Sequence, residues 1–233
     1  MRTTHDFEQP TLINKDNTKS GSLTECLVEA IVNGEIPSGS KISEPELARL
    51  YQVSRGPLRE AIMRLEGLGL VERIPHIGAR VISLSIANLL ELYCVREALE
   101  GMAARLAARH ITDEQIDALE QLLSTHSNYI ERVDGTAYFH QTGDFDFHYR
   151  IIQASGNSKL ISTLCDELYH LLRMYRYQAP RVERRPKKAL SEHRIILEAI
   201  KNHDEELAEM LMRRHISGSR HLIEQQMRKG IET

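Results

Sequence analysis

Residues 43–82, SEPELARLYQVSRGPLREAIMRLEGLGLVERIPHIGARVI, constrain this chain more than any other stretch. Ser43 and Glu46 have the spacing of a capping box, and Pro45 is tolerated in a first helical turn. Leu47 and Leu50 point this short helix inward. Ser54 caps the next helix, with Pro57 in its first turn, and Leu58, Ile62, Leu65 and Leu68 make an inward stripe at helical spacing. Gly67 and Gly69 end it. Leu70–Ile74 and Ala79–Ser83 then read as two short strands around Pro75-His76-Ile77-Gly78. A helix, a tight turn, a longer helix and a two-stranded wing, in that order, describe a winged helix-turn-helix. That shape sets one helix into a DNA major groove.

The distribution of charge agrees. The whole chain of 233 residues carries a net charge of −3, so it is no basic nucleic-acid coat, and any DNA contact must come from local arginines. Arg49, Arg55, Arg59, Arg64, Arg73 and Arg80 stand against only Glu60, Glu66 and Glu72 between residues 49 and 80. Arg55 and Arg59 are one turn apart at the start of the second motif helix and share a face, while Leu58 and Ile62 face the core. Arginine reads guanine with two parallel donors, and a helix N-terminus offers N–H groups to phosphate. His76 and Gly78 occupy the wing tip, where glycine permits close backbone approach. The plainer alternatives are solvated surface arginines and an ordinary hairpin turn.

Upstream, Ser22 and Glu25 form another capping box, opening a helix with Leu23, Leu27, Ala30 and Ile31 on one face, and residues 1–20 read as a polar tail with no secretory h-region. Downstream of about Ile86 the character changes to helix after helix, near 86–109, 113–133, 136–154, 158–178, 187–202 and 204–228. Thr112 and Gln115 make a capping box, Gly156-Asn157 and His203-Asp204 are breaks, and Pro180 and Pro186 bracket an arginine-rich loop. The fold class is therefore mainly α, an N-terminal winged helix-turn-helix over 21–83, a hinge at 84–86, and a C-terminal antiparallel bundle of about six helices over 87–229. The apolar fraction of 41% fills real cores, and with no Trp those cores are aliphatic. Cys26, Cys94 and Cys165 are odd in number and far apart, which reads as free buried thiols in a reduced, cytoplasmic protein. No apolar run approaches the ~20 residues that cross a bilayer.

The run GEIPSGSKISEPELARLYQVSRGPLREAIMRLEGLGLVERIPHIGARV resembles the DNA-binding domain of GntR-family bacterial transcription factors. The resemblance implies that Arg49, Ser54, Arg55 and Arg59 contact bases or phosphates and that the His76–Gly78 tip enters the minor groove. The chain departs from the family pattern at Gly56, where Thr commonly follows the first arginine, and at Pro45, where some relatives carry arginine.

The second half holds a candidate metal constellation. Asp144 and His148 are i and i+4 on an expected helix, and His193 and His215 lie on two later ones. An Asp and three His converging in a bundle core would suit Zn²⁺ first, or Mn²⁺ or Ni²⁺. In a chain with eleven histidines, spacing alone also fits satisfied or exposed side chains. The runs Val95-Arg96-Glu97-Ala98-Leu99-Glu100, Asp144–His148 with Ala154-Ser155-Gly156-Asn157, Glu192-His193, and Met212-Arg213-Arg214-His215-Ile216 resemble the FCD effector domain of the FadR-like GntR subgroup. That resemblance implies that Asp144, His148, His193 and His215 hold a metal and that Arg96 lies at the effector cavity, with Arg150 and Arg173 as further candidates. The residues also allow Arg96 an internal salt bridge with Glu97 or Glu100, or a surface position.

The expectation is a cytoplasmic regulator with no membrane contact: a homodimer on a pseudo-palindromic double-stranded operator, controlled by a small organic acid at a divalent metal. Repression relieved by the acid is the commoner arrangement. Two alternatives stay open, a helical-bundle metalloenzyme with an appended DNA-binding domain, and a regulator whose metal is purely structural.

Overall fold

A computed structural model describes residues 19–132, 147–178 and 186–231. Among the described residues the chain is mostly helical with one small antiparallel sheet, and it divides between Ile82 and Ser83 into two compact units. No helix among the described residues is long and apolar enough to cross a membrane.

The first unit comprises α1 (Lys19–Asn33), α2 (Glu44–Leu50), α3 (Arg55–Gly67), β1 (Val71–Ile74) and β2 (Gly78–Val81). Leu23, Leu27 and Ile31 of α1 meet Leu58, Ile62 and Leu65 of α3 in a core from which water is excluded. Each such side chain contributes about 1.5–3 kcal/mol. Gly69 ends α3 in the left-handed region at φ +68°, and the Leu70 N–H reaches back to the Leu65 carbonyl at 3.0 Å, satisfying an orphan acceptor of the last turn. The strands pair Val71 with Val81 and Ile74 with Gly78. Lys41 adds an isolated bridge to Arg80 on the far side of β2, a third short partner that the sequence pattern did not suggest.

Three local expectations are corrected here. Since α1 starts at Lys19, Ser22 lies within the helix and not at its N-cap position. Ser43 and Ser54 occupy N-cap positions in extended conformation, but neither side chain makes a capping hydrogen bond. Leu50 is 56% exposed and α2 contains no buried residue, because a seven-residue helix packing mainly on α3 covers only part of its apolar face.

The second unit comprises α4 (Ile86–His110), α5 (Asp113–Arg132), α6 (Phe147–Ala154), α7 (Ser158–Ile161), a π-helical segment Ser162–Leu168, α8 (Tyr169–Gln178), α9 (Pro186–Lys201) and α10 (Glu205–Ile231). The principal core lies among α4, α5, α6, α9 and α10. The capping box at α5 is realised in both directions: Thr112 N–H donates to Gln115 Oε1 at 3.1 Å, and Gln115 N–H to Thr112 Oγ1 at 3.3 Å. Asn157 caps α7 through Lys159 and Leu160, and Asp204 accepts from the Leu207 N–H. The long helix expected over 158–178 is interrupted by the π segment. Leu160, Leu164, Leu168 and Leu172 recur every four residues, a stripe that drifts around a 3.6-residue helix, and a π stretch winds more residues into each turn. Leu168 thereby packs against both smaller cores of this unit. Much of the helix expected over 136–154, including Asp144, and most of the loop between Pro180 and Pro186 lie outside the described residues. Among the cysteines only Cys165 is a core thiol; Cys94 is exposed and Cys26 half-buried.

Candidate functional site

On the inward face of α4, Leu89, Leu92, Ala103, Ala104 and Ala107 are buried. Arg96 and Glu100 stand on the same stripe, only 3% and 2% exposed. Arg96 Nε–H donates to Glu100 Oε1 at 2.6 Å, and the arginine carbon lies 4.9 Å from the centroid of the Tyr93 ring. The other oxygen of Glu100 lies 2.7 Å from His148 Nδ1 on α6. Of the readings left open for Arg96, the internal salt bridge with Glu100 is the one the structure displays.

Three histidines meet beside this pair. His148 belongs to the face of α6 that buries Ile151 and Ile152, and its side chain is 11% exposed. His193 continues the Leu190, Ile196, Leu197 and Ile200 face of α9, and His215 follows Met212 on α10; they are 3% and 7% exposed. One ring nitrogen from each lies within 4.8 Å of the others. The His193 and His215 Nε2 atoms are 3.2 Å apart. Two nitrogens at ~2.0–2.1 Å from one Zn²⁺ are separated by about 2.8–3.4 Å for angles between 90° and tetrahedral. Phe147 stacks on His193 with ring centroids 4.2 Å apart and walls the cluster on its apolar side. Glu192 Oε2 lies 2.7 Å from His215 Nδ1.

Electrostatics keep His215 in a ligating form. Burial pushes the His215 ring down, the Glu192 hydrogen bond opposes this, and the charges of His148 and Arg96 add to the lowering, leaving it at about 4. It is thus neutral at neutral pH, as a metal-binding imidazole must be. Burial raises the Glu100 carboxyl, but Arg96, then His148, outweigh it by charge and hydrogen bonding and hold it at about 2. The donor set, three imidazoles that are nearly buried, fits a borderline divalent cation. Asp144 lies outside the described residues.

The other two arginine candidates are not placed alike. Arg150 donates to the Ala118 carbonyl of α5 at 3.2 Å. At two residues from His148 it faces another side of α6. Arg173 is buried on α8, its guanidinium 5.9 Å from the centroid of the Tyr169 ring. Glu100 and Glu192 are the site residues that the sequence reading missed. Their signal was there for Glu100: a carboxylate on the inward stripe 89-92-96-100-103-107, where an apolar side chain is the rule.

In the first unit, Arg55 and Arg59 project from the opening turns of α3 and are exposed. Arg59 Nε bonds Glu44 at 2.9 Å, with the two side chains 64% and 30% exposed. Arg49 is exposed and bonds the Pro45 carbonyl at 3.2 Å, and Ser54 sits exposed at the N-cap of α3. His76 at φ +64° and Gly78 at φ +101° turn the exposed wing tip. Arg73 is paired with Glu66 at 2.5 Å and Arg80 with the Gly39 carbonyl, so these two serve the scaffold.

A helix-turn-helix with a wing, followed by an all-helical unit with a buried polar centre, defines a two-part DNA-binding regulator. Residues 19–81 match the family described as bacterial regulatory proteins, gntR family, and residues 91–218 match the FCD domain. The chain is 30% identical over 206 residues to the probable D-xylose utilization operon transcriptional repressor of Paenarthrobacter nicotinovorans, covering 86% of each. It is 29% identical to the HTH-type transcriptional repressor RspR of Escherichia coli (strain K12), covering 88% of this chain and 89% of that one. Among solved structures, E. coli McbR/YncC superposes with a TM-score of 0.66 over 91% of this chain and 99% of that one; at 20% identity the likeness concerns the fold. The chain belongs to the GntR family, with an FCD domain in its second unit. It is a transcriptional regulator rather than an enzyme, and regulators of this family act on DNA operators.

Proposed function

We propose that this regulator is a metal-centred acid sensor, its operator affinity set by a small carboxylate that completes the coordination of a divalent ion in the second unit. The observation that carries the reading is the meeting of His148, His193 and His215 nitrogens within 4.8 Å of one another, all three side chains nearly buried. His148, His193 and His215 hold the ion, with Asp144 as the fourth protein ligand, and Zn²⁺ suits the nitrogen-rich set best. Arg96, with Arg173 as a further candidate, supplies positive charge toward the acid.

Residues 21–83 form the DNA-reading domain, 84–86 the hinge and 87–229 the sensing and dimerising domain. A homodimer sets two copies of α3 on a pseudo-palindromic operator. Arg55 and Arg59 read bases, Arg49 and Ser54 hold phosphates, and the His76–Gly78 tip enters the minor groove. A coupling of ~1–3 kcal/mol between acid and DNA changes operator affinity about 5–150-fold, and each ligand alters the other's affinity equally. Repression, the activity in the names of both relatives above, is the favoured sign.

Metal analysis of the purified chain, followed by thermal melts with a panel of carboxylic acids, tests this. Roughly one metal per chain and an acid that raises the melting temperature only in the metal-loaded protein are expected, since a ligand of the native state stabilises by mass action. A metal-bound protein that no acid stabilises, and that unfolds on chelation, favours a purely structural ion. His193→Ala that retains full metal occupancy removes the ligand assignment.

A further inference from the structure

Two carboxylates stand behind two of the three histidines in the same manner. Glu100 Oε2 lies 2.7 Å from His148 Nδ1, and Glu192 Oε2 lies 2.7 Å from His215 Nδ1. An ionised carboxylate only accepts hydrogen bonds, so each contact makes Nδ1 the protonated nitrogen and leaves the lone pair on Nε2. For His215, Nε2 is the atom that faces His193 at 3.2 Å.

The two carboxylates differ in what holds them. Glu192 is 25% exposed. Glu100 is gripped from both sides: one oxygen takes the Arg96 Nε–H at 2.6 Å while the other meets His148, and the Arg96 and Glu100 side chains are 4% and 3% exposed. A buried carboxylate with a permanent cation on one oxygen has little freedom to turn the other.

We infer that Glu100 is a positioning residue of the histidine cluster: clamped by Arg96, it holds the His148 ring in the tautomer and orientation that present Nε2 to a divalent cation. The inference rests on the metal reading above. It also ties Arg96 to the metal site without contact with the ion, because Arg96 sets Glu100 and Glu100 sets His148. Outer carboxylates of this kind raise the basicity of a ligating imidazole and fix its direction. Glutamine cannot replace Glu100, since whichever way the amide turns, its NH₂ faces either the Arg96 Nε–H or the His148 Nδ1–H. Aspartate is one methylene shorter and cannot span both partners.

The test uses the full-length chain. Nitrogen NMR of the histidine rings in the metal-free protein reads the tautomer, and competition against a chromophoric chelator reads Zn²⁺ affinity. His148 is expected to carry its proton on Nδ1 in the wild type and to lose that signature in Glu100→Gln. Zn²⁺ affinity is expected to fall about 10–100-fold in Glu100→Gln and in Glu100→Asp. A structural role alone would change the melting temperature and leave the His148 tautomer as it was. A wild-type His148 protonated on Nε2 overturns the inference without any variant. Zn²⁺ uptake that neither Glu100 variant alters removes Glu100 and leaves the metal reading standing. A wild type that takes up no Zn²⁺ removes that reading, and the role of Glu100 with it.

Discussion

Arg59 and Arg96 are both arginines bonded through Nε to a glutamate, one in each unit of the molecule. The Arg59–Glu44 pair spans 2.9 Å with side chains 64% and 30% exposed; the Arg96–Glu100 pair spans 2.6 Å with side chains 4% and 3% exposed. Around the first pair water screens the charges, the bond is easily exchanged, and the guanidinium remains available to a partner from outside. Around the second, each charge depends on the other, and the pair is locked to a third group, His148, at 2.7 Å. An exposed pair is a contact surface held ready. A buried pair is part of the architecture, and whatever it recognises must be brought inside.

The largest expected effect comes from breaking the buried pair. Arg96→Ala leaves Glu100 charged and without its cation, and a loss of about 3–5 kcal/mol of stability is expected. Urea unfolding of the metal-free chain checks this. A loss below ~1 kcal/mol would mean that Glu100 is satisfied by His148 alone and that the two pairs are less different than their burial indicates. The matching change in the first unit, Arg59→Ala, is expected to leave the melting curve nearly unchanged, because exposed pairs contribute ~0–1 kcal/mol. With Arg59 reading a base as proposed, the same substitution is expected to weaken operator binding by about 1–3 kcal/mol. Fluorescence anisotropy at physiological salt, with a duplex selected by the protein from a random pool, measures it. Unchanged affinity there would move the reading surface off Arg59.

The contrast also accounts for what could be read from the sequence. The first unit was legible because its evidence is contiguous: turn, stripe, arginines and hairpin all fall within residues 43–82. Its errors were local ones of degree. The helical period puts Leu50 beside Leu47 on an inward face, but seven residues cannot cover both sides of that face. Lys41 escaped notice because an isolated bridge to Arg80 has no run of alternating residues to announce it. In the second unit His148, His193 and His215 were picked out by resemblance and spacing, and the fold brings those three together. Spacing leaves the partner of Arg96 among alternatives and does not mark Glu100 as a site residue, because the contact of Glu100 with His148 spans 48 residues. The π segment was equally hidden: a four-residue leucine repeat departs too little from helical spacing to be told from an α-helix by pattern alone.

A contact of intermediate exposure gives the smallest effect and fixes the scale between the two arginine pairs. The Tyr175 hydroxyl on α8 donates to the Ser85 carbonyl at 3.0 Å and accepts from the Ser85 N–H at 3.3 Å. Ser85 is the N-cap of α4, its own Oγ accepting the Asn88 N–H at 3.1 Å, and it lies three residues beyond Ile82, where the first unit ends. Tyr175→Phe keeps the buried ring, which packs with Leu89, Leu92 and Leu172, and removes only the hydroxyl. Ser85 retains its capping bond, and the freed backbone groups are near enough to the surface to find water, so a loss of about 0.5–1.5 kcal/mol is expected. Urea unfolding of the variant measures it on the same scale as Arg96→Ala. A loss of 3 kcal/mol or more would place the Tyr175–Ser85 contact with the buried pair, as architecture on which the start of α4 depends. A loss within the stated range would place it between the two arginines, and would show that solvent access, rather than the number of hydrogen bonds removed, orders the three.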